Sequence, residues 1–323
     1  MKNINFTFLD IMVEMRMRER YIGTYGGYQT GPLLFVLGGI HGNEPAGVFG
    51  LEKVFQKLEA QAPHFRGKLV GICGNCRALA KKQRFIDRDL NRLWSEREIQ
   101  RILHSSSKEA LNSEEKELLE ILSVIEKEKE GDFTARVMMD LHTTSAPGGF
   151  FSIVTPKPRN RELGTALYAP VIFNLNNSLD STTNIFMDNH GWQGVAFESG
   201  QHDDIESMVL HEAAVWVMLE KVGCIHRDDI DNFQQYHDLL AEAAKYLPRF
   251  VNVVYRHEIT PEDQFSMVPG YVNFTPVKAG ELLGRDRKGM VKAPKTGRIL
   301  MPLYQPQGEE GFFIAEELEK PLI

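Results

Sequence analysis

Leu33-Leu34-Phe35-Val36-Leu37 runs without a break into Gly38-Gly39-Ile40-His41-Gly42-Asn43-Glu44-Pro45, and this junction decides the fold. Five consecutive apolar residues read as a strand buried on both faces, the habit of parallel sheets. The turn-forming stretch that follows reads as a loop. Beyond it, Val48, Leu51, Val54, Phe55 and Leu58 recur at helical spacing, and Pro45, with no N–H to lose, suits a first helical turn.

The same pattern repeats outward from this point. Residues 69–72, 137–141 and 194–197 are short apolar runs that read as further buried strands, each ending before polar residues. Asn112 with Glu115 three positions on predicts a helix start, with Leu118, Leu119, Leu122 and Ile125 as the buried stripe. The charge run at 126–130 reads as a solvated helix end. Ile205, Met208, Val209, Glu212, Val215, Trp216 and Leu219 mark a long helix over 203–222. After Pro248 the texture changes to short β-like pieces between Pro269-Gly270, Ala279-Gly280, Pro294, Gly297, Pro302 and Gly308. The expected fold class is therefore α/β, a mostly parallel mixed sheet flanked by helices over residues 1–248, followed by a small all-β domain over 249–323.

Composition narrows the function classes. The 323 residues carry 37 Lys and Arg against 44 Asp and Glu, a formal charge of -7, which argues against general affinity for nucleic acid or anionic membrane. No run approaches the roughly 20 apolar residues of a membrane helix, and residues 1–20 lack the apolar core of a secretory signal. Three unevenly spaced cysteines, Cys73, Cys76 and Cys224, cannot form a disulfide framework and fit a reducing, cytoplasmic compartment.

Four pieces could carry chemistry. His41 and Glu44 lie in a loop at the carboxyl end of a strand, where open α/β sheets place ligand sites. Nitrogen and carboxylate donors suit zinc, and a third ligand from elsewhere would complete a catalytic site with an open position. Asp140-Leu141-His142-Thr143-Thr144 brings a histidine to the end of another strand, and Phe197-Glu198-Ser199-Gly200 a carboxylate to the end of a third. A glutamate beside activated water can take its proton and later deliver it to a leaving amine. Arg84-Phe85-Ile86-Asp87-Arg88-Asp89-Leu90-Asn91-Arg92 concentrates three arginines, whose forks bind carboxylates and stabilise oxyanions.

With these motifs in this order, the chain resembles the succinylglutamate desuccinylase and aspartoacylase family, a branch of the zinc carboxypeptidase superfamily. The resemblance rests on Gly39-Ile40-His41-Gly42-Asn43-Glu44, Arg84 to Arg92, Asp140-Leu141-His142-Thr143 and Glu198, and extends to a small C-terminal β domain. It implies a zinc carboxypeptidase-like fold, one zinc ion per chain held by His41, Glu44 and His142, and hydrolysis of the amide of an N-acyl amino acid. It further implies Glu198 as general base and acid, Arg84 beside the scissile carbonyl, and Asn91 and Arg92 on a substrate carboxylate. Asp89 would orient the basic segment.

Two departures stand out. Aspartate-specific members place a small-domain tyrosine in the pocket, where this chain reads Gly311-Phe312-Phe313 with Tyr304 nearby. They also carry an arginine about ten residues before the glutamate, where Asp188 stands here. The acyl group and amino acid are therefore left open, and a homo-oligomer is compatible with the sequence. His190 and His202 flank the Glu198 strand as alternative ligands or proton carriers. Cys73-Gly74-Asn75-Cys76 lacks the second pair of a metal site, and His211-Glu212 lacks the second histidine of H-E-x-x-H, Val215 standing there. A peptide carboxypeptidase and a non-catalytic relative that keeps the pocket are the competing readings.

Overall fold

The computed structural model describes residues 19–175 and 181–321. Residues 1–18, on which most of the reading of the N-terminus rests, lie outside the described ones. An eleven-stranded mixed sheet organises the molecule, in the order Tyr21–Gly26, Lys68–Cys73, Leu33–Gly38, Arg136–Thr144, Gln193–Gln201, Phe150–Ile153, Val171–Phe173, Phe250–Glu258, Glu310–Leu318, Gly297–Leu300 and Pro276–Val277. The four strands from Lys68–Cys73 to Gln193–Gln201 are mutually parallel. Every residue of Leu33–Gly38 is buried, which is why that strand is written in unbroken apolar residues rather than alternation.

Helices cover both faces. Ala46–Gln61 and Ile205–Val222 pack together on one face around Leu51, Val54, Phe55, Leu58 and Trp216, each such side chain contributing about 1.5–3 kcal/mol on burial. Ser113–Glu128 lies over the other face, with Leu118, Ile121 and Ile125 buried. Its predicted start is present as a reciprocal capping box between Asn112 and Glu115. Pro45 sits one position outside its expected place, as the helical residue just before Ala46.

The charge run at 126–130 is only partly a solvated end. Glu128 is buried, accepting from the Tyr21 hydroxyl at 2.8 Å and the Lys68 ammonium at 2.5 Å, because the last helical turn lies over the first and third strands of the chain.

The strands after Pro248 do not stand wholly apart. Phe250–Glu258 pairs in parallel with Val171–Phe173 and antiparallel with Glu310–Leu318, so four C-terminal strands extend the main sheet. Only Leu282–Asp286, Gly289–Lys292 and Ser266–Met267 form a separate small antiparallel sheet. Among the described residues no helix is long and apolar enough to cross a membrane.

Candidate active site

The parallel register sets the chemistry. His142 pairs with Glu198 across adjacent strands, and Gly38 pairs with Leu141, so the three strand ends that carry His41, His142 and Glu198 open at one edge. The loop after Gly38 folds tightly onto its neighbours. A Cβ on Gly42 would stand 2.1 Å from the Ala78 carbonyl carbon, so only glycine permits this approach. The Gly42 N–H donates to the Arg84 carbonyl at 3.0 Å, which draws the basic segment to the loop.

Glu44 lies between two imidazoles. His41 Nδ1 is 2.8 Å from Glu44 Oε1 and His142 Nδ1 is 3.2 Å from Glu44 Oε2. The outer ring nitrogens are held by separate aspartates, His41 Nε2 by Asp89 and His142 Nε2 by Asp140, both at 3.1 Å. One ligand atom from each of His41, Glu44 and His142 lies within 4.8 Å of the others, and all three residues are buried. Two nitrogens and a carboxylate so converged, with each imidazole oriented by a carboxylate behind it, make a donor set fitting a divalent ion such as zinc.

Electrostatics reinforce this convergence. Burial by itself would raise Glu44, yet His41 and His142 hold it well below the usual carboxylate range. Burial opposes charge on His142, but Asp140 and Glu44 outweigh it and hold the imidazole well above its ordinary value. Glu198 behaves oppositely. Burial pushes it up to about 8, with Glu44 and Asp140 adding to the rise against the pull of His142 and Arg84, and its Oε2 has no hydrogen-bond partner.

Arg84 grips Asp89 through Nε at 3.2 Å and Nη2 at 2.9 Å, and its Nη1 stands 3.5 Å from Glu44 Oε1. Asp89 thus ties the arginine to His41. The segment between them is shaped by Glu114, fully buried, whose carboxylate accepts from the backbone N–H groups of Ile86, Asp87 and Arg88 at 2.8, 2.9 and 3.2 Å. Asn91 accepts through Oδ1 from both the N–H and hydroxyl of Thr183 at 2.9 Å, fixing the start of the helix Thr183–Asn189. Arg92 Nη2 meets both oxygens of Glu310, at 3.0 and 2.9 Å.

All seven residues expected in the site, His41, Glu44, Arg84, Asn91, Arg92, His142 and Glu198, line one cavity of about 870 Å³, solvent at its mouth included. His202 joins them, its ring meeting Thr143 Oγ1 at 2.8 Å and Gln305 Oε1 at 3.1 Å. His190 does not: it is exposed and bonds to the Phe186 carbonyl. Phe313 lines the cavity, Phe312 lies in the C-terminal core, and the Tyr304 hydroxyl donates to Val268 O. Asp188 does not line it, being paired with Asn160 and Lys157.

Asp140, Glu114, Gln305 and Glu310 escape the sequence reading. Asp140 alone left a signal, since residues two apart on a strand share a face with His142; Glu310 lies 218 positions from its partner Arg92.

The model of the succinylglutamate desuccinylase/aspartoacylase catalytic domain matches residues 30–218, a span that contains every ligand candidate and Glu198. The chain belongs to the succinylglutamate desuccinylase/aspartoacylase family. A succinylglutamate desuccinylase of Pseudomonas paraeruginosa is 30% identical over 118 residues, 36% of this chain and 33% of that protein, so the match spans about a third of the curated relative. Solved structures share the fold at lower identity. A succinylglutamate desuccinylase/aspartoacylase from Rhodobacter sphaeroides is 15% identical with a TM-score of 0.63, over 90% of this chain and 87% of that one. The succinylglutamate desuccinylase of Chromobacterium violaceum is 16% identical at 0.62, over 98% and 99%. Murine aminoacylase 3 is 16% identical at 0.56, over 90% and 96%.

Proposed function

We propose that this chain is a zinc-dependent amidohydrolase that removes the acyl group from an N-acyl amino acid, using one ion held by His41, Glu44 and His142. The observation that carries the reading is the convergence of both Nδ1 atoms on the two oxygens of Glu44, with Glu198, its Oε2 unpartnered, on the strand beside His142. Zinc, when bound, supplies Lewis acidity that polarises a carbonyl and brings the pKa of a water from 15.7 to about 7.

The protein's own residues do the rest. Glu198 takes the proton of the attacking water and passes it to the departing nitrogen, a role worth roughly 10²–10⁴ in rate. Its burial, with the Glu44 and Asp140 carboxylates nearby, suits it to carry a proton near neutral pH. Arg84, fixed by Asp89, offers Nη1 to the carbonyl oxygen as negative charge builds there. Asn91 and Arg92 anchor the substrate carboxylate, and residues 249–323 act as the unit that shapes the pocket, contributing Met301, Leu303, Gln305, Glu310 and Phe313 to its wall. That wall favours a small acylated amino acid over a long peptide. The three buried, unpaired cysteines support a cytoplasmic setting.

The test is turnover by zinc-loaded protein of acetyl, formyl and succinyl derivatives of acidic, basic and neutral amino acids, read as free amine, beside Glu198→Gln. The variant should retain stoichiometric zinc and lose at least a hundredfold in kcat. Wild-type kcat in Glu198→Gln would remove the assigned base; release of C-terminal residues from long peptides, with acyl amino acids untouched, would replace the deacylase with a carboxypeptidase.

A further inference from the structure

The charge arrangement of the cavity carries a statement about the substrate class, which rests on the amidohydrolase reading. Among the described residues, Arg84 and Arg92 are the lysines or arginines that line it, and both are already engaged by the protein's own carboxylates. Arg84 gives Nε and Nη2 to Asp89, and its remaining Nη1 lies 3.5 Å from Glu44, on the side where the scissile carbonyl would sit. Arg92 gives Nη2 to both oxygens of Glu310 and Nη1 to the Asn91 carbonyl at 3.1 Å, while its Nε lies 3.5 Å from Glu309. Glu310 also accepts from Arg256 Nη2 at 2.8 Å, so one carboxylate, 11% exposed, occupies two guanidinium groups at this end of the site.

The lining carboxylates are Glu44, Asp140, Glu198 and Glu310, twice the number of lining arginines. A divalent ion at His41, Glu44 and His142 leaves both lining arginines paired with the protein's own carboxylates. One substrate carboxylate can share Arg92 with Glu310 through the guanidinium's remaining N–H groups, because an arginine carries five donors. A second would enter a low-dielectric space with no cation left to meet it, and an unpaired buried charge is strongly disfavoured. Among the described residues the remaining wall holds no further lysine, arginine or carboxylate: one stretch is apolar, formed by Ile153, Leu175, Ala196, Met301, Leu303 and Phe313, and the rest is polar, including Thr143, Ser145, Asn184 and Gln305. The apolar stretch favours a hydrocarbon group, and the hydroxyls and amides beside it can donate hydrogen bonds but bring no full charge to neutralise a second anion.

We infer that the site selects N-acyl amino acids with a single carboxylate and an apolar acyl or side-chain group, and that Glu310 is the residue that determines this choice by occupying Arg92. Glu310 thus acts as a fixed internal competitor for the second carboxylate of a dicarboxylate substrate.

The experiment compares kcat/KM of the zinc-loaded enzyme for N-acetyl-leucine, N-acetyl-methionine and N-acetyl-phenylalanine with N-acetyl-aspartate, N-acetyl-glutamate and N-succinyl-leucine. Each added carboxylate should lower kcat/KM at least tenfold, and Glu310→Gln should narrow that gap at least tenfold by releasing Arg92, while Arg256 stays paired with Glu258 at 2.8 Å. A wild-type preference for the dicarboxylates, or a ratio that Glu310→Gln leaves unchanged while fold and zinc content are intact, would overturn the inference. The wild-type ratio decides by itself if the variant does not fold. Absence of hydrolysis of every compound would instead reject the amidohydrolase reading. Calorimetric titration with the same compounds would then decide the selectivity: tighter binding of N-acetyl-leucine than of N-acetyl-aspartate supports it, and the reverse order overturns it.

Discussion

Asp140 and His142 stand two residues apart on one strand, share a face, and meet at 3.1 Å between Oδ2 and Nε2. The strand therefore supplies both a ligand candidate and the group that sets its ring orientation, leaving Nδ1 turned to Glu44. Loss of such a partner costs 10–100-fold in metal affinity. Asp140→Ala should weaken zinc binding by that factor, with Asp140→Asn recovering part of it, as read by competition with a chromophoric chelator. Unchanged affinity in both variants would show that the ring is held by other contacts.

Metal removal has a companion expectation. Metal at 100 times its Kd adds about 2.7 kcal/mol to the stability of the folded state, which for a chain of this size corresponds to a rise in Tm of about 4 °C. Chelator-treated protein should melt lower by that amount and regain it with stoichiometric zinc, whereas His142→Ala should show no gain. An identical zinc response in the variant would place the ion elsewhere.

Glu114 organises the arginine segment from behind. Its carboxylate satisfies three consecutive, partly buried backbone N–H groups, and a hydrogen bond to a charged group contributes about 1.5–3 kcal/mol. Glu114→Ala should lower unfolding free energy by several kcal/mol in urea titrations and reduce kcat, since Arg84 and Asp89 flank the segment that loosens. A variant with wild-type stability would mean that water replaces the carboxylate without penalty.

Glu128 provides a pH signature at a buried ion pair outside the cavity. Burial would raise its pKa, but Lys68 and Tyr21 hold it below the ordinary 4.5. A carboxyl whose folded pKa is depressed stabilises fully above its unfolded pKa, and that contribution fades as pH falls through the folded value. Glu128→Gln should thus be about 1–2 kcal/mol less stable at pH 7 and converge with wild type towards pH 3. A stability difference that stays constant from pH 7 to pH 3 would assign the effect to packing.

The legible part of this molecule is local. Strands buried on both faces announce themselves as apolar runs, the helix over 113–128 by its cap, and the site's principal residues by loops at strand ends. Glu114 was hidden because an acid in a first helical turn ordinarily complements the helix dipole in solvent, and its true partners lie 26 to 28 residues earlier. Glu310 was hidden for the same reason at greater range: neither it nor Arg256 carries any local mark of a shared ion pair. Glu128 looked solvated because charge runs usually are, and only the crossing of the helix over the Tyr21 and Lys68 strands reveals otherwise.

The hydrogen-bonded continuity from Arg136–Thr144 to Glu310–Leu318 has a mechanical corollary. His142 and Phe313 both line the cavity and belong to one hydrogen-bonded sheet, so the parts of the wall they form cannot swing apart about a hinge without tearing strand pairs. Entry and exit fall to the loops at the rim, and the breadth of what can be accommodated is set when the chain folds, before any ligand arrives.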